Sequence, residues 1–321
     1  MHTGSTALST SASQPSQARS RLLIVILNYR TPELTIACLR SLASQLDTLP
    51  DTEVVVTDND SRDGSADKIA SAIASEGMST WARCEPLPKN GGYAYGNNAP
   101  IRSALSRMEP PEFVLLLNPD TELLPGAITA LLDFMRAHPE CGIAGSRLED
   151  ERGSVHCSAF NFPSAWSELD RGLELGIVTK LLKDRTVQRP IPEQPCEVDW
   201  VAGASMLVRR QVFERVGLID EAYFLYFEEV DFLLRAKRAG FRTFYVPQSR
   251  VVHHMGASTG VTDEKAAPRR IPTYWFDSRR RYFVKNHGLT HAALADSAFL
   301  VGRALQKLRR LAIPKRTRPD P

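Results

Sequence analysis

No segment of the chain is long and apolar enough to cross a bilayer, and the amphipathic stretch near the C-terminus is interrupted by charge. Residues 1–20 are rich in Ser, Thr, Ala and Gln and lack the apolar centre of a signal peptide, so a disordered extension is expected there. The cysteines are few, odd in number and scattered: Cys38, Cys84, Cys141, Cys157 and Cys196. None stands in a Cys-X-X-Cys pair or a Cys/His ligand spacing. That argues against a disulfide framework or a structural zinc site, and for reduced thiols in a cytoplasmic protein. GxGxxG and Walker sequences are both missing, so neither a dinucleotide site nor a P-loop follows. There is no internal repeat.

What is present describes a soluble globular protein. Hydrophobic residues make up 43% of the 321 residues and charged ones 24%, enough for one large α/β domain with an elaboration, or for two domains. The net charge of +3 is unevenly spread. From Lys265 onward, fourteen Lys and Arg are opposed only by Asp277, Asp296 and Asp320, which leaves the preceding body acidic. No nucleic-acid-binding motif accompanies this charge, and nucleic acid is not expected as a partner. Interleaved with Phe299, Leu300, Leu305 and Leu308, the basic tail is expected to rest on anionic lipid, gaining about 1 kcal/mol per basic residue near the surface. The expected location is therefore the cytoplasm, with the tail on the inner face of the cell membrane.

Periodicity alternates between strand and helix through the first half. Leu22 to Leu27 is an apolar β-branched run suited to a strand buried on both faces, and Thr31-Pro32-Glu33 opens a helix. Glu53 to Thr57 is a second such strand, ending in the turn cluster Asp58 to Ser65 before another helix. Phe113 to Leu117 ends abruptly at Asn118-Pro119-Asp120, Pro125 opens the next helix, and Gly142 to Leu148 reads as a strand. This rhythm predicts a mostly parallel sheet flanked by helices. Residues 150–197 show no clear period and read as an irregular insertion beside the site. Strands at Gly203–Arg209, Phe241–Val246 and Arg250–His254 follow, then helices near 273–287 and 290–311.

In an open α/β sheet, ligands bind beyond the carboxyl ends of the strands. Asn28-Tyr29, Asp58 to Ser65 and Asn118 to Asp120 all fall there. Asn90-Gly91-Gly92-Tyr93-Ala94-Tyr95-Gly96-Asn97-Asn98 stands before a helix and either holds a phosphate or ribose or is simply a glycine-rich turn. Pro100 would begin or kink that helix. In 223–235 an aromatic run delivers Glu228, Glu229 and Asp231 to the first turn of an amphipathic helix. Carboxylates beside aromatics are costly unless paired, metal-bound or used. They could also serve the helix dipole, with Asp231 and Arg235 as an i,i+4 pair. Asp120 is a candidate ligand for Mg²⁺ or Mn²⁺, with His253 or His254 as an imidazole neighbour.

These segments, in this order, resemble the family 2 nucleotide-sugar glycosyltransferases of GT-A fold, and among them the bacterial rhamnosyltransferases of cell-surface polysaccharide synthesis. The matching residues are Ile26 to Tyr29, Asp58-Asn59 with Ser61, Asp63, Gly64 and Ser65, Asn90 to Asn98, and Asn118-Pro119-Asp120. Trp200 to Ala204, Phe227 to Asp231 with Arg235, and His253 with Gly256 and Ser258 continue the series.

The resemblance implies an α/β GT-A domain over 21–288, with a nucleotide-binding half at about 21–150 and an acceptor half at about 151–288, then a basic amphipathic tail at 289–321. It implies an inverting transfer from a dTDP-, UDP- or GDP-linked donor, dTDP-L-rhamnose foremost, to a lipid-linked or polysaccharide acceptor. Asn28, Tyr29, Asp58, Asn90, Gly91, Asn97 and Asn118 are implied at the nucleotide sugar. Asp120 with His253 is implied at the divalent cation (Mg²⁺ or Mn²⁺), in a motif where Asn118 replaces the usual first acid. Glu229 is implied as the base, with Glu228 and Asp231 beside it, although a Glu-Asp pair is commoner in the family. Acceptor contacts are assigned to Trp200, Gly203, Asp220 and Glu221. A base of ordinary pKa, about 4, would suffice at neutral pH. A sugar nucleotidyltransferase would carry an Arg/Lys-bearing glycine-rich signature after the first strand, and Asn28-Tyr29-Arg30-Thr31 is not one. A non-catalytic relative would have lost Asp120 or the acid pair, and both are here.

Overall fold

The computed structural model describes residues 21–49, 51–254 and 271–312. Its first half runs β1 (Leu22–Asn28), α1 (Pro32–Ala43), β2 (Thr52–Asp58), α2 (Ser65–Ser75), β3 (Ala82–Pro86), α3 (Gly92–Leu105), β4 (Phe113–Leu117), β5 (Thr121–Leu123), α4 (Ala127–Ala137) and β6 (Cys141–Glu149). Then come β7 (Val155–His156), β8 (Ala159–Phe160), α5 (Ala165–Leu173), α6 (Gly176–Leu181), β9 (Cys196–Val198), β10 (Trp200–Val201), β11 (Ser205–Arg209), α7 (Arg210–Val216), α8 (Glu228–Arg238), β12 (Arg242–His253) and α9 (Thr273–Ala312). The main sheet has the order β3-β2-β1-β4-β11-β6-β12-β5. β1 to β4 are mutually parallel where they pair, β11 runs against both neighbours, and β12 returns parallel to β6.

The apolar run of β1 is buried on both faces because its period of two feeds two separate cores. Leu22, Ile24 and Ile26 pack with α1, α2 and α4, whereas Leu23 and Val25 pack with α3 and α8. In β4, Phe113, Leu115 and Leu117 divide from Val114 and Leu116 in the same way. A third, smaller core of Tyr223, Val230, Leu234, Tyr282 and Phe283 joins α8 to α9.

Three expectations are corrected. The stretch 150–197 is not irregular throughout, since it holds α5, α6 and short strands. The buried positions of α5 are Ser167, Glu168, Gly172 and Leu173, so it shows almost no apolar stripe, and a Ser164–Ser167 capping box starts it instead. The strands expected at 241–246 and 250–254 are one strand, β12, with a register shift between Val246 and Arg250 that accommodates Pro247. The glycine-rich stretch does not precede its helix, because α3 begins within it at Gly92 and carries Pro100 inside. The two C-terminal helices meet at Gly288, where φ of 83° breaks α9. Beyond the break, α9 lies along α5 so closely that a Cβ on Gly302 would come within 2.7 Å of the Leu169 carbonyl. Of the expected basic tail, 313–321 lies outside the described residues, as do Gly256, Ser258, Lys265, Arg269 and Arg270.

Candidate active site

The strand ends converge as parallel pairing requires. Asn28 is in register with Asp58, and Ile26 with Leu117, so the residues after β1, β2 and β4 emerge at one edge. Asn28 is fully buried. Its Oδ1 accepts from Thr31 N at 3.3 Å and Thr35 Oγ1 at 2.9 Å, which caps α1 from three residues upstream, where Thr31 itself makes no side-chain cap. Its Nδ2 reaches Ser61 Oγ at 3.4 Å. Tyr29 is half-buried, with the Arg30 guanidinium 5.1 Å from its ring centroid. Asp58 is buried and accepts from Ser61 N. These bonds fix a loop in which Arg30, Asp60 and Arg62 all have positive φ, a conformation uncommon outside glycine.

Asn59 links this loop to the glycine-rich stretch. Its Nδ2 donates to Asn90 Oδ1 at 2.9 Å and to the Gly92 carbonyl, and its Oδ1 accepts from Gly91 N. The close approach the glycines permit is made to protein: a Cβ on Gly92 would lie 1.9 Å from the Phe224 carbonyl, which also accepts from Tyr93 N at 3.0 Å. Asn97 donates to the Tyr93 carbonyl, and its Oδ1 is buried without a hydrogen-bond partner. Tyr93 Oη donates to the Gly203 carbonyl at 2.8 Å, and the next carbonyl, Ala204, accepts from Asn118 N. One chain of bonds therefore runs from Asn118 through Gly203 and Tyr93 to the aromatic run. Nothing in the sequence pattern marked Tyr93 or Phe224 for this role.

Asp120 is buried at the end of that strand turn, with Oδ1 3.3 Å from His253 Nε2. His254 turns elsewhere, to Glu122 at 2.9 Å and Glu151 at 3.0 Å. A carboxylate oxygen beside an imidazole nitrogen is a donor pair that suits Mn²⁺ or Mg²⁺ when other ligands complete the shell. Among the described residues no third carboxylate, His or Cys joins them, so a cation here would draw its remaining ligands from a bound diphosphate or water.

The acid cluster divides in two. Tyr226 and Phe227 both have positive φ, about 70° and 67°, immediately before α8. This backbone turns Glu228 and Glu229 inward at the helix start. Glu228 is buried, Glu229 is partly buried, and each keeps an Oε2 with no hydrogen-bond partner. Burial raises the Glu229 carboxyl to about 6. That corrects the expectation of an ordinary pKa: the neighbouring surface is aromatic, and among the described residues no salt bridge to Glu229 offsets its burial. Burial, with Glu229 beside it, raises Glu228 well above the usual carboxylate range, and the Tyr93 phenol is raised by burial and by both acids.

Asp231 belongs to the other side of the helix. It accepts from Arg235 Nε at 2.9 Å, Lys285 Nζ at 2.8 Å, Asn286 Nδ2 at 2.8 Å and Tyr223 Oη. Burial would raise it, but Lys285, Asn286 and Arg235 outweigh burial and its carboxyl lies below the usual range. Asp220 follows the same rule. Burial is overcome by Lys285, Arg281 and the Ala222 N–H, holding it well below the usual range. Glu221 pairs with Arg102 and Asn98 on the outside. Asp220 and Glu221 therefore brace α9 and α3, respectively.

A cleft of about 690 Å³ opens at Glu229. Trp200 stacks on Phe160 with centroids 4.1 Å apart and donates Nε1 to the Asn161 carbonyl. These two rings, with Tyr226, Phe227 and Trp275, form its aromatic walls, and residues 163–190 form the rest. Gly203 lies outside the lining, under the Tyr93 hydroxyl. Glu228 and the strand-end residues Asn28, Asp58, Asn118 and Asp120 do not line the cleft either.

Comparison with known proteins adds independent findings. Residues 23–217 match the model of glycosyl transferase family 2. The N-acetylglucosaminyl-diphospho-decaprenol L-rhamnosyltransferase of Mycobacterium tuberculosis is 36% identical over 234 residues, spanning 69% of this chain and 73% of its own. Rhamnosyltransferase WbbL of Escherichia coli strain K12 is 30% identical over 167 residues, or 51% of this chain and 61% of its own. Among solved structures, GalNAc-T7 with UDP, GalNAc and Mn²⁺ superposes with a TM-score of 0.57 at 12% identity, covering 91% of this chain and 56% of that one. The mannosyltransferase PcManGT of Pyrobaculum calidifontis, with GDP-Man and Mn²⁺, gives 0.52 at 15% identity, covering 93% and 82%. At these identities the structural likeness speaks to the fold, which is GT-A.

Proposed function

Because the chain belongs to glycosyl transferase family 2, we propose that it is an inverting glycosyltransferase that moves L-rhamnose from dTDP-L-rhamnose onto a lipid-linked precursor of a cell-surface glycan. The observation that carries this reading is Glu229, a partly buried carboxylate that lines an aromatic cleft and has one buried oxygen without a hydrogen-bond partner. The acceptor sugar lies in that cleft against Trp200 and Phe160, while the nucleotide occupies the strand ends around Asp58 and Asn118. Glu229 takes the proton from the acceptor hydroxyl. The freed oxygen pair attacks the anomeric carbon from the side opposite the nucleotide, the carbon–oxygen bond to the diphosphate breaks, and its electrons leave with the nucleoside diphosphate. Asp120 and His253 would hold a divalent cation, which when bound offsets charge growing on that leaving group. Asn28, Asn90, Gly91 and Asn97 act mainly by shaping the nucleotide loop. Asp231, Asp220 and Glu221 position the elements that carry Glu229.

The exposed face of α9 after Gly288 presents Leu294, Val301, Leu305 and Leu308 at helical spacing, beside Lys307 and Arg309. This face supports a peripheral seat on an anionic membrane. No described helix is long and apolar enough to cross one.

Calorimetric titration with dTDP-rhamnose, UDP-sugars and GDP-mannose, each with and without Mn²⁺, tests the donor assignment. Metal-dependent binding of dTDP-rhamnose is expected, with weaker binding in Asp120→Asn. A folded sample that binds no donor is a non-catalytic relative, and the reading fails. The membrane seat fails if protein truncated after Gly288 sediments with anionic liposomes as well as the intact chain does.

A further inference from the structure

The cleft that Glu229 lines also carries charge that the transfer step does not use. Four lining residues are cationic: Arg171, Lys180, Lys183 and Arg189. Arg171 is occupied, paired with Glu168 at 2.7 Å and lying between the rings of Trp275 and Phe299. Glu168 is also held by Arg279. The other wall acid, Asp170, accepts from Thr179 Oγ1 at 2.7 Å. Among the described residues, Lys180 and Lys183 pair with no carboxylate, and Arg189 donates to the Glu197 carbonyl at 3.2 Å. Three cations with no described acid partner thus line the same cavity as the proposed base. They cannot serve the donor diphosphate if it sits at Asp120, because no strand-end residue lines this cleft.

Lys180 lies on α6, whose Ile177 and Leu181 are 69% and 80% exposed. The cationic lining therefore adjoins exposed apolar side chains on the same helix. Beyond the start of α6, Glu174 anchors Arg303 and Arg310 of α9, so this lip lies next to the basic, leucine-bearing end of that helix.

We propose that Lys180, Lys183 and Arg189 form a subsite for the diphosphate of the acceptor, a sugar carried on a prenyl diphosphate. The sugar stacks within the aromatic walls, and the first isoprene units leave over Ile177 and Leu181. This rests on the glycosyl-transfer reading. It adds which residues of this chain distinguish a diphosphate-borne sugar from a neutral one. A diphosphate diester presents two charges over adjacent phosphates, a multivalent target for charge-assisted hydrogen bonds from flexible lysines and a forked guanidinium.

The test is calorimetry of the full chain with farnesyl diphosphate in EDTA, which keeps cations from recruiting the probe to Asp120. Replacing all three residues (Lys180→Gln, Lys183→Gln, Arg189→Gln) should weaken binding at least about tenfold while donor affinity stays unchanged. If the triple variant does not fold, Lys180→Gln and Lys183→Gln singly should each weaken binding about threefold. Unchanged affinity for farnesyl diphosphate overturns the subsite. So does an equal loss in Lys307→Gln/Arg309→Gln, which would mean diffuse attraction to the basic helix. Glu229→Gln should bind the probe normally. A wild-type chain that binds it through these three cations yet transfers no sugar leaves the subsite standing and overturns the catalytic reading instead.

Discussion

The first turn of α8 places carboxylates in two opposite environments. Toward the cleft, Glu228 and the cleft-lining Glu229 stand beside each other, no described salt bridge compensates either, and burial raises both. On the α9 side, Asp231 is more completely enclosed but accepts from Arg235, Lys285, Asn286 and Tyr223 and is lowered. Burial is common to both sides and compensation is not. An uncompensated acid destabilises the fold at neutral pH and is available for proton transfer. A saturated acid stabilises the fold and has no lone pair to spare. The positive φ of Tyr226 and Phe227 adds backbone cost on the cleft side, as expected where geometry is held for chemistry.

The largest effect should come from removing the cleft-side base. Glu229→Gln is expected to lower kcat by about 10²–10⁴ with donor affinity retained. Steady-state kinetics beside donor calorimetry decide it, and a variant that keeps wild-type turnover ends the assignment of Glu229. Next in size is the α9 side. Asp231→Ala leaves Lys285 and Arg235 short of a buried partner. Because Lys285 is one-third exposed and still has Asp220, a loss of about 3 kcal/mol is expected, the lower end for a broken buried pair. Denaturant melts measure it. The comparison collapses if Asp231→Ala is as stable as wild type but inactive.

Proton titration sharpens the contrast further. kcat/KM should rise with pH and level off above about 6, following Glu229. Stability should move the other way in that window. A carboxyl whose folded pKa exceeds its unfolded value stabilises fully below the unfolded pKa and loses that contribution as pH climbs through the folded one. From Glu229 alone this is on the order of 1–2 kcal/mol lost between about 4.5 and 6. Asp231 and Asp220 act oppositely: their contributions are present above about 4 and disappear on acidification below it. Glu229→Gln should therefore melt higher than wild type at neutral pH and equally at pH 4. A flat difference across that range would show the pair is not uncompensated.

Much of this site could be read from the sequence because it sits where local rules are strong. The continuous apolar runs of β1, β2 and β4 and the polar residues ending them required a parallel sheet with a polar edge. The acids after Phe227 stood out as carboxylates beside aromatics. The division of labour among them was not legible, because it depends on Lys285 and Asn286, more than 50 residues away in α9. Nor was α5, whose buried face is Ser, Glu and Gly rather than an apolar stripe. The glycines of 91–92 read as a holder of phosphate or ribose or as a simple turn, and neither reading foresaw a close approach to protein. What approaches is the Phe224 carbonyl, a long-range contact that no local pattern encodes.

The smallest expected effect is the most discriminating. Glu228 and Glu229 are adjacent, both raised, and both hold an unpartnered oxygen, yet only Glu229 lines the cleft. Burial is what raises Glu229, whereas Glu228 is raised by burial and by Glu229 beside it. Glu228→Gln should then leave the acid limb of kcat/KM near 6 and change kcat by less than about threefold, far short of what loss of a general base causes. The same change removes a buried acid whose ionisation is opposed by burial and by Glu229 beside it. It should raise stability at neutral pH and by nothing near pH 4, where the carboxyl is protonated whether folded or not. If Glu228→Gln instead removes activity while Glu229→Gln retains it, the base is Glu228. Proton transfer would then require the Tyr226–Phe227 turn to move, since Glu228 as it stands cannot reach the cleft.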